Sequence, residues 1–355
     1  MIMQYNRLNT PALIIDEKIF KANMEAMEKC LEGSSLRLRP HYKSHKCAAI
    51  AKMQIEGGAV GMTCAKMSEL EDLVDAGVED ILLANQVADK RKIARLAQLA
   101  LDSHITVLVD SEENIRDLSE AAAFAGSVIH CLVEYDIGME RCGVVSNEEV
   151  LRLAKCIIDS PSLTFDGLQA YAGHISHMVD KDERLSKTKA NYEKLKELIE
   201  YLNQNGVEVK TVSGGSTGTA EIKAVEGLYT ELQAGSYLFM DNTYRDLELP
   251  FKNSMFIVST VVSVRDGLAV IDAGVKTCGV DQGMPRVVGC DVKEIVASEE
   301  HFQLHEPSVQ LNVGDTVLLV PGHCCSTVNL HDKLYMVRDG KVVDRLMITA
   351  RGCGK

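Results

Sequence analysis

The sequence predicts an α/β fold, a (β/α)8 TIM barrel followed by a second, mostly antiparallel β domain at the C-terminus. Two observations carry this expectation. Eight short apolar runs of strand character alternate with helically periodic segments up to about residue 245. Beyond that point β-rich arms joined by tight turns replace the helices.

The eight runs are "SLRLRPH" (35–41), "AVGMTCA" (59–65), "DILLANQ" (80–86), "ITVLVD" (105–110), "VIHCLVEYD" (128–136), "LTFDGLQAY" (163–171), "VEVKTVSGG" (207–215) and "YTELQAGSY" (229–237). Between them lie segments such as "SELEDLVDAG", "SEENIRDLSEAAAFAG" and "NEEVLRLAKCIIDS", several opening on a capping Ser, Asp or Asn and closing on Gly. Short strands alternating with helices argue for a parallel sheet buried on both faces. Eight in succession favour a closed barrel over 10–245, with an open doubly wound sheet as the structural rival. In the region 246–355, "FIVSTVVSVRDGLAVIDAG" and "KLYMVRDGKVVDRLMIT" each read as two strands around an Asp-Gly turn. Residues 1–9, "MIMQYNRLN", could add a strand to this second domain.

Composition bounds the function. The chain has 355 residues, with 38 Lys plus Arg against 51 Asp plus Glu and a formal net charge of -13. A nucleic-acid backbone or an anionic membrane surface would be repelled on average, so neither is expected as a partner. No apolar run reaches the roughly 18 residues of a membrane span, and no leader pattern opens the chain, so a soluble cytoplasmic protein is expected. The 11 cysteines suit a reducing compartment with free thiols.

A barrel of this kind places its chemistry just after the C-terminal ends of the strands. Lys43 and Lys46 follow the first strand, Arg141 the fifth, and His174 and His177 the sixth. The seventh is followed by a loop in which Gly214, Gly215 and Gly218 free the backbone to approach an anion and Ser216, Thr217 and Thr219 supply hydroxyls. Gly235, Ser236 and Tyr237, at the end of the eighth, add a second wall. A phosphate cradle facing a strand-end lysine suggests pyridoxal phosphate, whose aldehyde needs an amine and whose phosphate needs a fixed seat.

Eight motifs in order, "LRPHYKSHK", "VEYDIGMERCGV", "GLQAYAGHISH", "SGGSTGT", "LQAGSYLFMD", "IDAGVK", "SEEH" and "PGHCCSTVN", carry a resemblance over essentially the whole chain. Together they resemble the D-threonine aldolase and D-serine dehydratase family, within the alanine racemase-like, fold type III group of pyridoxal phosphate enzymes. The resemblance implies a homodimer acting on a small D-3-hydroxy amino acid. It also implies that Lys43 bonds to the cofactor aldehyde, with Lys46 a basic neighbour. Arg141 would meet the phenolic oxygen of the cofactor, and Gln169 and Tyr171 would line its ring. Ser216, Thr217, Gly218, Thr219, Gly235, Ser236 and Tyr237 would hold the phosphate. His177 would serve as base for the substrate hydroxyl, with His174 beside it.

The stretch "PGHCCSTVNLHD" (321–332) sets a histidine against two cysteines. Read as strand, it points His323 and Cys325 to one side and Cys324 to the other, and imidazole with thiolate is a good zinc pair. A buried structural pair and a redox-sensing thiol are the competing readings; a disulfide between neighbours would be strained. Family members place a metal-binding histidine and a second ligand at these two positions, for zinc, manganese or magnesium. Aldolase-like members generally carry aspartate at the second, so Cys325 matches the zinc-dependent dehydratase branch, whereas "TVNLHD" matches the aldolases.

The expected activity is therefore a pyridoxal phosphate- and divalent metal-dependent lyase, with retro-aldol cleavage of D-threonine-like substrates to glycine and an aldehyde placed first. Zinc-dependent D-serine dehydration, giving a 2-oxo acid and ammonia, is the alternative. An amino acid racemase and a non-catalytic pyridoxal phosphate-binding protein stand behind these.

Overall fold

The computed structural model describes residues 8–222 and 227–355. The chain starts with β1 (Ala12–Asp16) and α1 (Glu17–Leu31), then alternates β2 (Arg37–Leu38), α2 (Ala48–Glu56), β3 (Met62–Cys64), α3 (Met67–Asp75), β4 (Asp80–Leu83) and α4 (Lys90–Leu99). It continues through β5 (His104–Val109), α5 (Glu112–Ala125), β6 (Ile129–Glu134), α6 (Asn147–Ile158), β7 (Leu163–Ala170), α7 (Lys181–Gln204), β8 (Thr211–Gly214) and β9 (Glu231–Leu232). All eight strands read from the sequence are present, as β2 to β9.

These strands form one parallel sheet in the order β2, β9, β8, β7, β6, β5, β4, β3. The two ends of that order meet: His41 bridges Thr63, and the Thr63 amide donates to the Pro40 carbonyl at 2.8 Å. The sheet is thus a closed ring rather than the open rival. Local chemistry supports the helices around it. The Ser111 hydroxyl accepts from the Asn114 amide at the start of α5, and Gly126 ends that helix at φ 71, in the left-handed region glycine tolerates.

The second sheet contains β10 (Met255–Arg265), β11 (Leu268–Ile271), β12 (Arg286–Val287), β13 (Glu294–Ala297), β14 (Phe302–His305), β15 (Thr316–Val320), β16 (Lys333–Arg338) and β17 (Lys341–Met347), with one short helix, α8 (Cys324–Val328), between β15 and β16. Its main path runs β13, β14, β11, β10, β1, β16, β17, and β15 pairs with β10 and β12. The two Asp-Gly hairpins are β10/β11 and β16/β17. In the second, Asp339 at φ 51 and Gly340 at φ 75 make the tight turn that matches strand twist.

Two expectations are corrected. β1, which falls inside the segment assigned to the barrel, pairs antiparallel with β10 and parallel with β16 in the second sheet. The reason is burial. Leu13 and Ile15 enter the main core while Ala12 and Ile14 pack on Val258 and Val337, so the run is covered on both faces. The strand suggested for "MIMQYNRLN" lies, up to residue 7, outside the described residues. The second correction concerns residues 324–328, which are helix rather than strand. His323 alone is extended, and the Asp241 carboxylate caps the new helix by accepting from the Cys324 amide at 2.7 Å.

Candidate active site

Strand ends build the site. After β2 the chain turns through a single 3-10 turn, Tyr42–Ser44, and the His41 ring accepts from the Lys43 amide at 3.4 Å. Burial, reinforced by the nearby Lys43 charge, holds the His41 imidazole well below its ordinary pKa, so it is neutral and free to accept. Lys43 therefore stands at the C-terminal mouth of the barrel. Its Nζ lies 5.9 Å from the centre of the Tyr171 ring, and the Arg141 guanidinium carbon lies 5.8 Å from the same ring. Lys46 is not available for covalent chemistry in this arrangement. It is buried, sits at φ 49, and pairs with Glu69 at 2.5 Å.

A cavity of about 180 Å³ lies in this mouth, lined among others by Lys43, Arg141, Gln169, Tyr171 and Glu134. Gln169 on β7 and Gln233 just after β9 exchange hydrogen bonds over the intervening β8 at 3.2 and 2.7 Å, and Gln233 also donates to Ser213 of β8 at 2.9 Å. This amide pair makes a fixed polar floor. Burial raises the Glu134 pKa, while Gln86 and Arg141, 3.9 Å away, oppose the shift. A larger cavity of about 640 Å³, beside Met24, Met27, Leu36 and Tyr237, brings together no comparable set of reactive groups.

The glycine-rich loop forms a 3-10 turn at Thr217–Thr219 closed by a reciprocal cap between Ser216 and Thr219. The first amides of such a turn have no internal partner and can face an anion. Two close approaches fix the turn in space. The Thr217 hydroxyl accepts from the Tyr237 amide at 3.1 Å, and a Cβ on Gly218 would fall 1.8 Å from the Ser176 carbonyl oxygen. Ser236 and Tyr237 begin a second 3-10 turn, and a Cβ on Gly235 would sit 3.1 Å from the Ser44 hydroxyl, beside Lys43. The Tyr237 ring itself is buried in the core, where Gln54 donates to its hydroxyl at 2.9 Å. Only its backbone supports the cradle. Ser176 carries a buried hydroxyl without a partner among the described residues, next to the turn.

The loop after β7 carries both histidines. His174 lies over Gly138, whose Cβ would come within 3.4 Å of its Nε2. His177 is exposed on its open side and packs edge-on against Tyr244, with ring centres 4.7 Å apart. The protein packed around the His177 ring lowers its pKa, a shift that Asp241 opposes and His323 reinforces. That electrostatic contact brings the barrel loop and the second domain to one place.

α8 packs against the Lys43 turn. On this short helix successive side chains diverge by about 100°, so Cys324 turns fully into the core while Cys325 remains half-buried at the site. Their sulfurs are 3.9 Å apart, and all 11 cysteines are free. Cys325 is held well below its ordinary pKa, first by the Cys324 thiol and then by His323. His323 in turn is raised to about 9: burial opposes, but the Cys325 thiolate and Asp281 outweigh it. The pair attracts positive charge. The Asp281 carboxylate lies 2.7 Å from Nδ1 of His323, which leaves Nε2 as the ring nitrogen for an ion.

The donor set fits the two groups the chain would need. An amine, an aromatic ring, a buried amide pair and an anion-facing turn converge as a pyridoxal phosphate site requires, and imidazole with thiolate suits zinc. Two protein ligands leave coordination positions for substrate oxygen or water. Asp281, Asp241, Gln233 and His41 were not singled out by the sequence reading, although Asp241 and Gln233 stand inside the quoted "LQAGSYLFMD". For His41 and Gln233, polar residues just beyond a strand, position is the signal that could have found them; Asp241 and Asp281 lie nine and ten residues past β9 and β11.

Residues 15–243 match the alanine racemase, N-terminal domain family, and residues 254–337 match the putative serine dehydratase domain. A D-threonine aldolase from Arthrobacter sp is 40% identical over 98% of this chain and 93% of its own length. The chain belongs to the D-threonine aldolase and D-serine dehydratase family. Within this alanine racemase-like family, a 3-hydroxy-D-aspartate aldolase from Paracoccus denitrificans (strain Pd 1222) is 39% identical over 99% of this chain and 94% of its own. The solved D-threonine aldolase from Filomicrobium marinum superposes with a TM-score of 0.93 at 39% identity, covering 98% of this chain and 97% of that one. A D-threo-3-hydroxyaspartate dehydratase from Delftia sp. (strain HT23) is more distant, 27% identical over 90% of this chain and 92% of its own. Enzymes of this fold type use pyridoxal phosphate.

Proposed function

We propose that this protein is a pyridoxal phosphate- and divalent metal-dependent lyase that cleaves D-3-hydroxy amino acids of the D-threonine type to glycine and an aldehyde. The observation that carries the reading is the meeting of Lys43, His177 and the His323/Cys325 pair at one barrel mouth, in a chain about 40% identical to an aldolase and 27% identical to a dehydratase.

When bound, the cofactor supplies an electron sink for the Cα that loses its bond, and the metal supplies a Lewis acid for substrate oxygens. The chain's own residues do the rest. Lys43 would bond to the cofactor aldehyde, Arg141 and Tyr171 would contact its ring, and Gln169 with Gln233 would offer it a fixed polar surface. Ser216, Thr217, Gly218 and Thr219, with Gly235 and Ser236, would seat the phosphate through backbone and hydroxyl groups, while the Tyr237 amide braces Thr217. His323 and Cys325 would hold the ion, with Asp281 fixing the imidazole. His177, neutral because of its lowered pKa, takes the proton from the substrate hydroxyl directly or through one water. Loss of that proton lets the Cα–Cβ bond break: the hydroxyl-bearing carbon leaves as the aldehyde, and Cα then takes up a proton to give glycine.

The alternative is zinc-dependent dehydration, favoured by one observation, the thiolate character of Cys325. There Lys43 would remove the Cα proton while hydroxide leaves. Purified, cofactor-loaded protein incubated with D-threonine or D-serine, with and without chelator, separates the two. Glycine and aldehyde are the expected products; a 2-oxo acid with ammonia would overturn the aldolase assignment. We further propose zinc as the preferred metal, from the imidazole-thiolate pair, a homodimer, from the family resemblance, and a cytoplasmic setting, from the free cysteines. No helix among the described residues is long and apolar enough to cross a membrane.

A further inference from the structure

The N-terminal mouth of the barrel, opposite the catalytic face, contains a group of side chains the proposed reaction does not use. His104 opens β5, His130 is the second residue of β6, and Asp166 lies in β7. The pairing of β6 with β7 skips one residue between Cys131/Phe165 and Leu132/Gly167, so Asp166 is the extra residue of a bulge. A bulge re-aims the side chain it carries. Here it brings Oδ2 of Asp166 to 2.7 Å from Nδ1 of His130. The rings of His104 and His130 lie 3.9 Å apart, centre to centre. One ligand atom from each of the three residues lies within 4.8 Å of the others, and this is the one such triple of His, Cys, Asp or Glu among the described residues.

We propose that His104, His130 and Asp166 bind a second divalent cation at this mouth, distinct from any ion held by His323 and Cys325. Two imidazoles and a carboxylate are a ligand set for a borderline ion such as zinc, cobalt(II) or nickel, with water completing the shell. Tetrahedral zinc spaces such ligands roughly 3.3 Å apart, so the side chains close on the ion by small rotations. The surroundings suit this. Oδ1 of Asp80 lies 3.4 Å from Nδ1 of His104, the outer carboxylate that orients a metal-binding histidine and leaves its other nitrogen free. The nearby Arg39 is already committed to Glu231 and Asp80, at 2.7 Å each. A polar cavity of about 360 Å³, reached by His104 and Asp166, gives the ion an entry path.

The position defines the role. Leu82, Leu108 and Leu132, on β4, β5 and β6, pack as an apolar cluster, and Leu108 and Leu132 lie nearer than His104 and His130 to the strand ends that carry the catalytic groups. An ion below that cluster cannot touch substrate, and the N-terminal face of such barrels serves stability. By tying β5, β6 and β7 together, the cation stabilises the folded state as any ligand of the native form does.

The test is metal counting on full-length, cofactor-loaded protein dialysed against cobalt(II), with its visible spectrum recorded. Wild type is expected to retain two ions per chain, and His130→Asn and His323→Ala one each by loss of different sites. Added zinc should raise the thermal midpoint of His323→Ala but not of His323→Ala/His130→Asn. Should His130→Asn fail to fold, His104→Gln replaces it. A single ion in wild type that is lost only in His323→Ala overturns the proposal, as does full retention of two ions in both His130→Asn and His104→Gln. A single ion lost only in His130→Asn supports this site while removing the one at His323.

Discussion

Asp281 and His323 meet through a carboxylate oxygen and Nδ1 at 2.7 Å, although they stand 42 residues apart. The same carboxylate accepts from the Ser326 hydroxyl at 2.5 Å, so a single acidic side chain orients the imidazole and tethers the first turn of α8. Asp281→Asn should keep the fold but weaken metal binding about 10- to 100-fold, measured by competition with a chelator. Unchanged affinity would show that Asp281 is only a surface partner of Ser326.

Cys325→Asp would replace the proposed soft ligand by a hard one. The expected result is weaker zinc binding with a relative gain for manganese or magnesium, read by direct titration of each metal. A variant with wild-type zinc preference would mean that the sulfur does not touch the ion.

Lys43→Ala should remove the visible absorbance of lysine-bound cofactor and lower turnover by at least roughly 10²-fold, because Lys43 is the lysine that lines the cavity with Arg141 and Tyr171. Lys46 does not substitute, being paired with Glu69. Persistence of the absorbance would reassign the lysine.

For His177 the sign of the pH effect follows from its environment. Desolvation favours the neutral ring, so the imidazole remains unprotonated to a lower pH than an ordinary histidine of about 6.5. The acid limb of kcat/KM for D-threonine should therefore inflect below that value, and His177→Asn should abolish the limb while reducing kcat by roughly 10²- to 10⁴-fold. An acid limb that survives in the variant would assign the base elsewhere.

Gly218→Ala tests the seat of the phosphate. Its new Cβ would fall 1.8 Å from the Ser176 carbonyl oxygen, so either the cradle or the loop carrying His177 must shift. A stability loss of about 1–3 kcal/mol is expected, together with weaker cofactor retention on dialysis. Retention equal to wild type would mean that the cradle tolerates the shift.

Hydrophobic period and turn chemistry act over a few residues, and what depended on them was legible. The eight barrel strands, the Ser111 and Gly126 caps of α5 and the two Asp-Gly hairpins are of this kind. So was the placement of Lys43, Arg141, His177 and the Ser216–Thr219 turn at strand ends, since strand direction in a parallel barrel fixes which end of each run faces the mouth. The strand reading of residues 323–325 failed because a distant carboxylate, Asp241, caps the Cys324 amide and lets a helix start there. Local sequence carries no trace of a partner 83 residues away.

By itself the sequence determined the repeating barrel, the β-rich C-terminal half and the residue types available for chemistry, because each is written in local periodicity or in motifs. Tertiary structure alone decided that β1 joins the second sheet, that residues 324–328 form a helix, and that Asp281 aims His323. It also decided that His104, His130 and Asp166 converge at the far mouth. Those outcomes depend on which surfaces close packing brings together, and contacts between segments tens to hundreds of residues apart are set by the folded whole.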